Sequence, residues 1–195
     1  MPVKSFRAAK LRLAPVLKAE ARADLARDLA LGVLAAAGKL EPFVVCDDDE
    51  VARWAEATGA GVIWTPGLGL SGAVAAGVEQ LCARGIEVVV VAHADLPYAE
   101  ELDKLAMSGC VTLVPDLACD GTNVAVVPSR AGFRFAYGKG SFGRHRAEAA
   151  RLGLPCVVVH DRRLGADLDL PADLARLERA RTATRGRPSP APLAP

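Results

Sequence analysis

Five short runs of apolar, mostly β-branched residues recur along the chain, at 44–46, 62–64, 88–91, 111–114 and 156–159. Gly, Pro or Asp bounds them, and amphipathic stretches separate most of them. Continuous apolar runs of this length mark strands buried on both faces. Between them, residues 19–37 set Leu25, Leu29, Val33 and Ala36 on one helical face and Arg22, Asp24 and Arg27 elsewhere. Asp48 is placed to cap a helix that Gly59 stops, and Ser71 to cap one that Gly85 stops. Further helices are expected after Pro97 and from Ser141 to about Leu152. This alternation predicts an α/β fold of Rossmann-like character, a mostly parallel sheet with helices on both faces. One segment breaks the rhythm. Residues 121–128 and 133–137 read as two strand-like pieces with no helix between them, which predicts an antiparallel excursion.

The chain has 195 residues, the length of one domain. That domain is expected over 1–180. Residues 181–195, rich in Pro, Arg, Ala and Ser, read as a disordered tail. Lys and Arg number 24 against 23 Asp and Glu, a net charge of +1, which argues against a dedicated nucleic-acid binder. It leaves room for a small anionic ligand. The opening residues lack the apolar core of a signal peptide, and no apolar run approaches the ~20 residues of a membrane span. A cytoplasmic protein that does not engage membranes is expected. The five cysteines are odd in number and widely spaced, and read as small buried hydrophobes rather than a metal or redox motif.

In open α/β sheets, ligands bind beyond the carboxyl ends of the strands. The residues there are informative. Lys4, Lys10 and Arg12 follow an opening strand; they suit a polyphosphate, or are simply a solvated basic segment. Asp95 follows the run at 88–91 and precedes Pro97; it reads either as a cation ligand or as a helix cap. His93 beside it reads as structural. Asp167 and Asp169 lie two apart, so in extended chain they face one side and suit a hard cation such as Mg2+, although Asp169 is also placed to cap a helix opened by Pro171. Gly138, Lys139, Gly140 and Ser141 lead into a helix beside Arg144. They form either an anion site or a flexible connector with a Ser cap. Asp120, Gly121, Thr122 and Asn123 make a turn whose polar groups face a ligand or only close the turn. No nucleophile has a base beside it, so reaction by positioning and charge neutralisation is the class that fits.

Taken in order, Pro2-Val3-Lys4-Ser5-Phe6-x-x-Ala9-Lys10-x-Arg12-Leu13, Ala94-Asp95-Leu96-Pro97, Asp120-Gly121-Thr122-Asn123, Ser141-Phe142-x-Arg144-His145 and Asp167-x-Asp169-x-Pro171 resemble the guanylyltransferases of deazaflavin coenzyme F-420 biosynthesis. That family includes 2-phospho-L-lactate guanylyltransferases and their phosphoenolpyruvate-using counterparts. The likeness spans nearly the whole chain apart from the tail. It implies a single-domain nucleotidyltransferase fold, with GTP and a phosphorylated three-carbon acid as substrates and Mg2+ as cofactor. By the same resemblance, Asp95, Asp167 and Asp169 would hold the metal, and Asp95, Lys10 and Arg12 would serve catalysis. Lys4, Thr122, Gly138, Ser141, Arg144 and His145 would bind substrate. Where relatives often carry an Asn, the loop here reads Pro66-Gly67-Leu68-Gly69-Leu70-Ser71-Gly72, which leaves Ser71 and Gly72 to face the nucleotide. A related enzyme acting on a molybdopterin or sugar phosphate is the alternative, and a non-catalytic GTP-binding protein a second one. A homodimer is left open.

Overall fold

The computed structural model describes residues 1–185. Among them the main elements run α1 (Ala19–Ala35), β1 (Phe43–Cys46), α2 (Asp49–Ala57), β2 (Gly61–Trp64), α3 (Gly69–Ala83), β3 (Val88–Ala92), β4 (Val111–Pro115), β5 (Thr122–Pro128), α4 (Ser141–Arg151), β6 (Cys156–Val158) and α5 (Pro171–Arg185). Strands β1 and β2 pair in parallel, and Pro2 adds a parallel bridge to Val45. The other four lie in the order β3-β5-β4-β6. β4 and β6 are parallel, while β5 runs antiparallel to both of its neighbours.

The period of two along the strands divides the core between two faces. Val89, Val91, Leu113, Ala125 and Val127 pack with Val74, Val78 and Leu81 of α3 and with Phe142 and Ala149 of α4. The residues between them, Ala92, Val114 and Val124, meet Val33 of α1 and Ala36 just past its end on the opposite face. Val45 and Ile63 join the first cluster, which ties the two sheets into one core. Leu13, Leu29, Leu168 and Leu177 form a smaller cluster that seats α5.

Several local expectations are corrected. Asp48 caps α2 as read, accepting from the backbone N–H groups of Glu50 and Val51. Ser71 does not cap α3, which begins two residues earlier at Gly69. No α-helix follows Pro97. Leu96 and Leu102 are both buried against α1, and the Leu102 N–H donates to Ala36 O at 2.9 Å, so the segment is pinned open and makes only a 3-10 turn, Leu102–Leu105. The segment 133–137 is not a strand; β5 alone supplies the antiparallel excursion. Ser141 is the first helical residue of α4, with Gly140 at the cap position. Helix α5 includes residues 181–185, and the rest of the expected tail, 186–195, lies outside the described residues. Cys46 and Cys110 are buried, but Cys119 and Cys156 are exposed.

Candidate active site

The carboxyl ends of the parallel strands open on a cavity of about 340 Å³. Its lining includes Lys4, Ser5 and Lys10 from the first loop, Cys46 and Asp47 after β1, Thr65 after β2, and His93 and Asp95 after β3. Asp169 closes one side.

The first loop is held by two anchors, Phe6 at 2% exposure and Leu13 at 0%. Between them Lys10 has φ 54°, a left-handed conformation that non-glycine residues adopt rarely. Its ammonium reaches Asp95 Oδ2 at 2.7 Å, with the Lys10 side chain only 8% exposed. Arg12 pairs with Asp169 Oδ2 at 2.6 Å in a more exposed position. Both cations therefore sit on the carboxylates that the sequence assigns to a metal. Lys4 is exposed at the cavity wall.

Asp95 and the acidic pair are brought together by one backbone bond. The Leu168 N–H donates to Asp95 O at 3.0 Å, and the Leu168 side chain is fully buried. Asp167 and Asp169 flank that anchor. Burial and then the Asp95 charge hold the Asp167 carboxyl above the usual carboxylate range. Asp95 Oδ1 is buried without a hydrogen-bond partner. Two crowded carboxylates and an orphaned oxygen are conditions that a divalent cation relieves. Asp169 does not cap α5; the Asp173 carboxylate accepts from the Asp169 and Leu170 N–H groups instead.

The second half of the site lies across β5. Because β5 is antiparallel, its amino end, Thr122, shares an edge with the carboxyl ends of β3 and β4. The register Ala92↔Val124 continues into a His93 N–H to Asn123 O bond at 3.0 Å. Thr122 is 1% exposed and its Oγ1 lies 3.0 Å from His145 Nδ1. His145 Nε2 accepts from the Ala136 N–H at 2.9 Å. A nitrogen that accepts carries no proton, so Nδ1 holds it and donates to Thr122. The Thr122 hydroxyl proton then has no acceptor among the described residues. Burial, with the neighbouring Arg144 and His93 charges, pushes the His145 pKa down to about 4, which keeps the ring in this neutral form.

Gly138 has φ 106°, open to glycine and strained for other residues. The loop it belongs to is held by Arg144, whose guanidinium donates to the carbonyls of Ala136, Gly138 and Lys139. Arg144 is thus a buttress for the glycine loop, and His145 a buttress for Thr122. Ser71 is also drawn to this loop, since its Oγ accepts from the Tyr137 N–H at 2.9 Å. From α3 the cavity is lined by Gly69, Leu70 and Ala73, without Ser71 or Gly72. Asp47, Thr65, His93 and Tyr137 were not singled out as site residues by sequence. The first three do stand just past apolar runs, the signal that found Asp95.

A one-domain α/β sheet with cations, carboxylates and a glycine-led helix start along one edge is the framework of a nucleotidyltransferase, and this protein is of that class. A solved nucleotidyl transferase from Methanothermobacter thermautotroptrophicus has the same fold, with a TM-score of 0.65 at 14% identity, over 94% of this chain and 97% of that one. Residues 1–180 match the family described as guanylyl transferase CofC like, and the chain belongs to that family. It is similar to the phosphoenolpyruvate guanylyltransferase of Sphaerobacter thermophilus, at 34% identity over 91% of this chain and 90% of that protein. The phosphoenolpyruvate guanylyltransferase of Rubrobacter xylanophilus is 35% identical over 91% of each.

Proposed function

We propose that this protein transfers the guanylyl group of GTP to phosphoenolpyruvate or a similar phosphorylated three-carbon acid, in the cytoplasm and for coenzyme F-420 biosynthesis. An oxygen of the acceptor's phosphate attacks the α-phosphorus of GTP. The bond from that phosphorus to the bridging oxygen breaks, and pyrophosphate leaves. Both reactants are anions, so the site must bring like charges together and hold them in line. Lys4, Lys10 and Arg12 lie on the triphosphate side of this scheme. Thr122, Gly138 and Ser141 take the acceptor's carboxylate end, at the N-terminus of the 11-residue helix α4.

Asp95, Asp167 and Asp169 fit Mg2+, which usually takes one or two protein carboxylates and completes its shell with phosphate oxygens and water. When bound, the ion offsets the charge that builds between the two phosphate groups. Among the described residues no cluster of three or more His, Cys, Asp or Glu forms an all-protein metal cage. The Asp95 and Asp167 arrangement supports a metal held jointly with substrate.

The observation that carries this reading is the shared edge. Asp95, with one oxygen orphaned and the other on the Lys10 ammonium, follows β3, and Thr122 begins the antiparallel β5 at the same edge. Purified protein with GTP and Mg2+ should release pyrophosphate when phosphoenolpyruvate, 2-phospho-L-lactate or 3-phosphoglycerate is added. Mass spectrometry should find the matching GDP-linked acid. No release with any of the three would remove the reading.

A further inference from the structure

We propose that His93 and Tyr137 bind the acceptor's phosphate group directly, through His93 Nε2 and Tyr137 Oη. The inference deepens the function proposed above and rests on it. Four buried side-chain nitrogen or oxygen atoms have no hydrogen-bond partner among the described residues: Arg22 Nε, His93 Nε2, Asp95 Oδ1 and Tyr137 Oη. Three of the four gather in one place. His93 stands two residues before Asp95 and lines the same cavity. Its ring lies 5.0 Å from that of Tyr137. Burying a polar group unpaired destabilises a fold, so such groups persist where something else completes them.

The position of the pair says what completes them. On one side stand Asp95 and Lys10. On the other, the Tyr137 ring meets His145 edge-on at 5.0 Å and 79°, and His145 holds Thr122. Tyr137 immediately precedes Gly138, and its backbone is fixed by Ser71. The two free groups therefore lie in a chain of contacts that runs from the Asp95 side through His145 to Thr122, between the proposed metal ligands and the proposed carboxylate end of the acceptor. The acceptor's phosphate must lie there if its oxygen is to reach the α-phosphorus. Cations on the first loop already answer the charge of the phosphates. Neutral donors add direction without adding charge, and a phosphate has oxygens enough for two of them.

A purely structural role would be served as well by phenylalanine. Phe133, Phe135, Tyr137 and His145 already form an aromatic cluster with His93, and a benzene ring at position 93 or 137 would join it without an unpaired atom. His93→Phe and Tyr137→Phe therefore separate the two roles. A hydrogen bond to a charged group is worth roughly tenfold or more in affinity. Each variant should raise the acceptor KM about tenfold or more by that measure, leave the GTP KM unchanged, and keep or raise Tm. His93→Gln, which restores an N–H at similar reach, should recover most of the loss. An unchanged acceptor KM in both Phe variants overturns the proposal, as does a rise in both KM values with a lower Tm. If the wild-type chain turns over none of the three acceptors, the proposed function fails. The inference is then read from the Tm shift given by inorganic phosphate: a shift kept in wild type and lost in both Phe variants supports it, and equal shifts overturn it.

Discussion

Lowering the pH should strip the Thr122 buttress, by an amount that can be worked out. The His145 pKa is about 4 in the fold against 6.5 ordinarily, with burial the largest cause. The folded value lies below the unfolded one, so the unfolded chain binds the extra proton first. The neutral ring's contribution is therefore complete above pH 6.5 and is lost as the pH falls toward 4. At 1.36 kcal/mol per pKa unit the full difference is at most about 3 kcal/mol, and between pH 7 and 4.5 it comes to about 2 kcal/mol. The perturbation that isolates it is His145→Gln. At pH 7 the variant loses two buried hydrogen bonds, and it should be less stable than wild type by about 1–3 kcal/mol. Other groups that titrate in acid, such as Glu148 with its carboxyl held down to about 2 by Arg151, are common to both proteins and cancel in the comparison. Urea unfolding of both at pH 7, 5.5 and 4.5 should show the gap narrowing by about 2 kcal/mol as acid is added. Parallel curves would refute the lowered His145 pKa.

Asp95→Asn should cut pyrophosphate release by about 100-fold or more, since it removes a charge that holds Lys10 and that the proposed metal would share, while circular dichroism reports an intact fold. Near-normal turnover would take Asp95 out of the metal site. Ser71→Ala should raise the acceptor KM by loosening the Tyr137 amide, with the preference for GTP over ATP unchanged. A loss of that preference would return Ser71 to the guanine side.

How much of this was legible in the sequence depends on where each backbone donor goes. Strands β1, β3 and β4 are named by local composition alone, because a run buried on both faces must be apolar throughout. β6 is found by the same apolar signal, but it is an edge strand with Cys156 and Val157 exposed, not the doubly buried strand expected. Residues 133–137 carry the same kind of signal, with Phe133 and Phe135 buried and Arg134 exposed between them. They fail to be a strand because side chains take their N–H groups. Glu148 accepts from Arg134, His145 from Ala136, and Ser71 from Tyr137. Nothing within the segment announces those partners, which arrive from α3 and α4. The partners of Arg144 are hidden for the same reason. Its charge reads as a phosphate ligand, and the fold presents it with three carbonyls. Asp95 is noticed because it stands at the exit of a buried strand, and Asp167 and Asp169 because they lie two apart; the structure places all three around one backbone bond. Their meeting was not legible, since it hangs on that bond, from Leu168 to Asp95 O.

The break in rhythm at β5 matters more to function than the regular strands around it. In an all-parallel sheet, Thr122 would begin its strand at the edge opposite Asp95, the length of a strand away. Reversing one strand, between two that run the other way, carries the start of β5 to the exits of β3 and β4. In the function proposed above, only then can a three-carbon acid reach from Thr122 and Ser141 at its carboxylate to Asp95 at its phosphate. The hairpin needs a tight return, and Asp116 supplies it by accepting from the Asp120 and Gly121 N–H groups at 2.9 and 2.8 Å. The Asp120 carboxylate in turn accepts from the Gly140 N–H, which docks the glycine loop on the same turn. The acceptor site is thus a product of strand direction. On the proposed function, a chain that kept every motif residue but ran β5 parallel would hold the nucleotide edge and lose the acceptor.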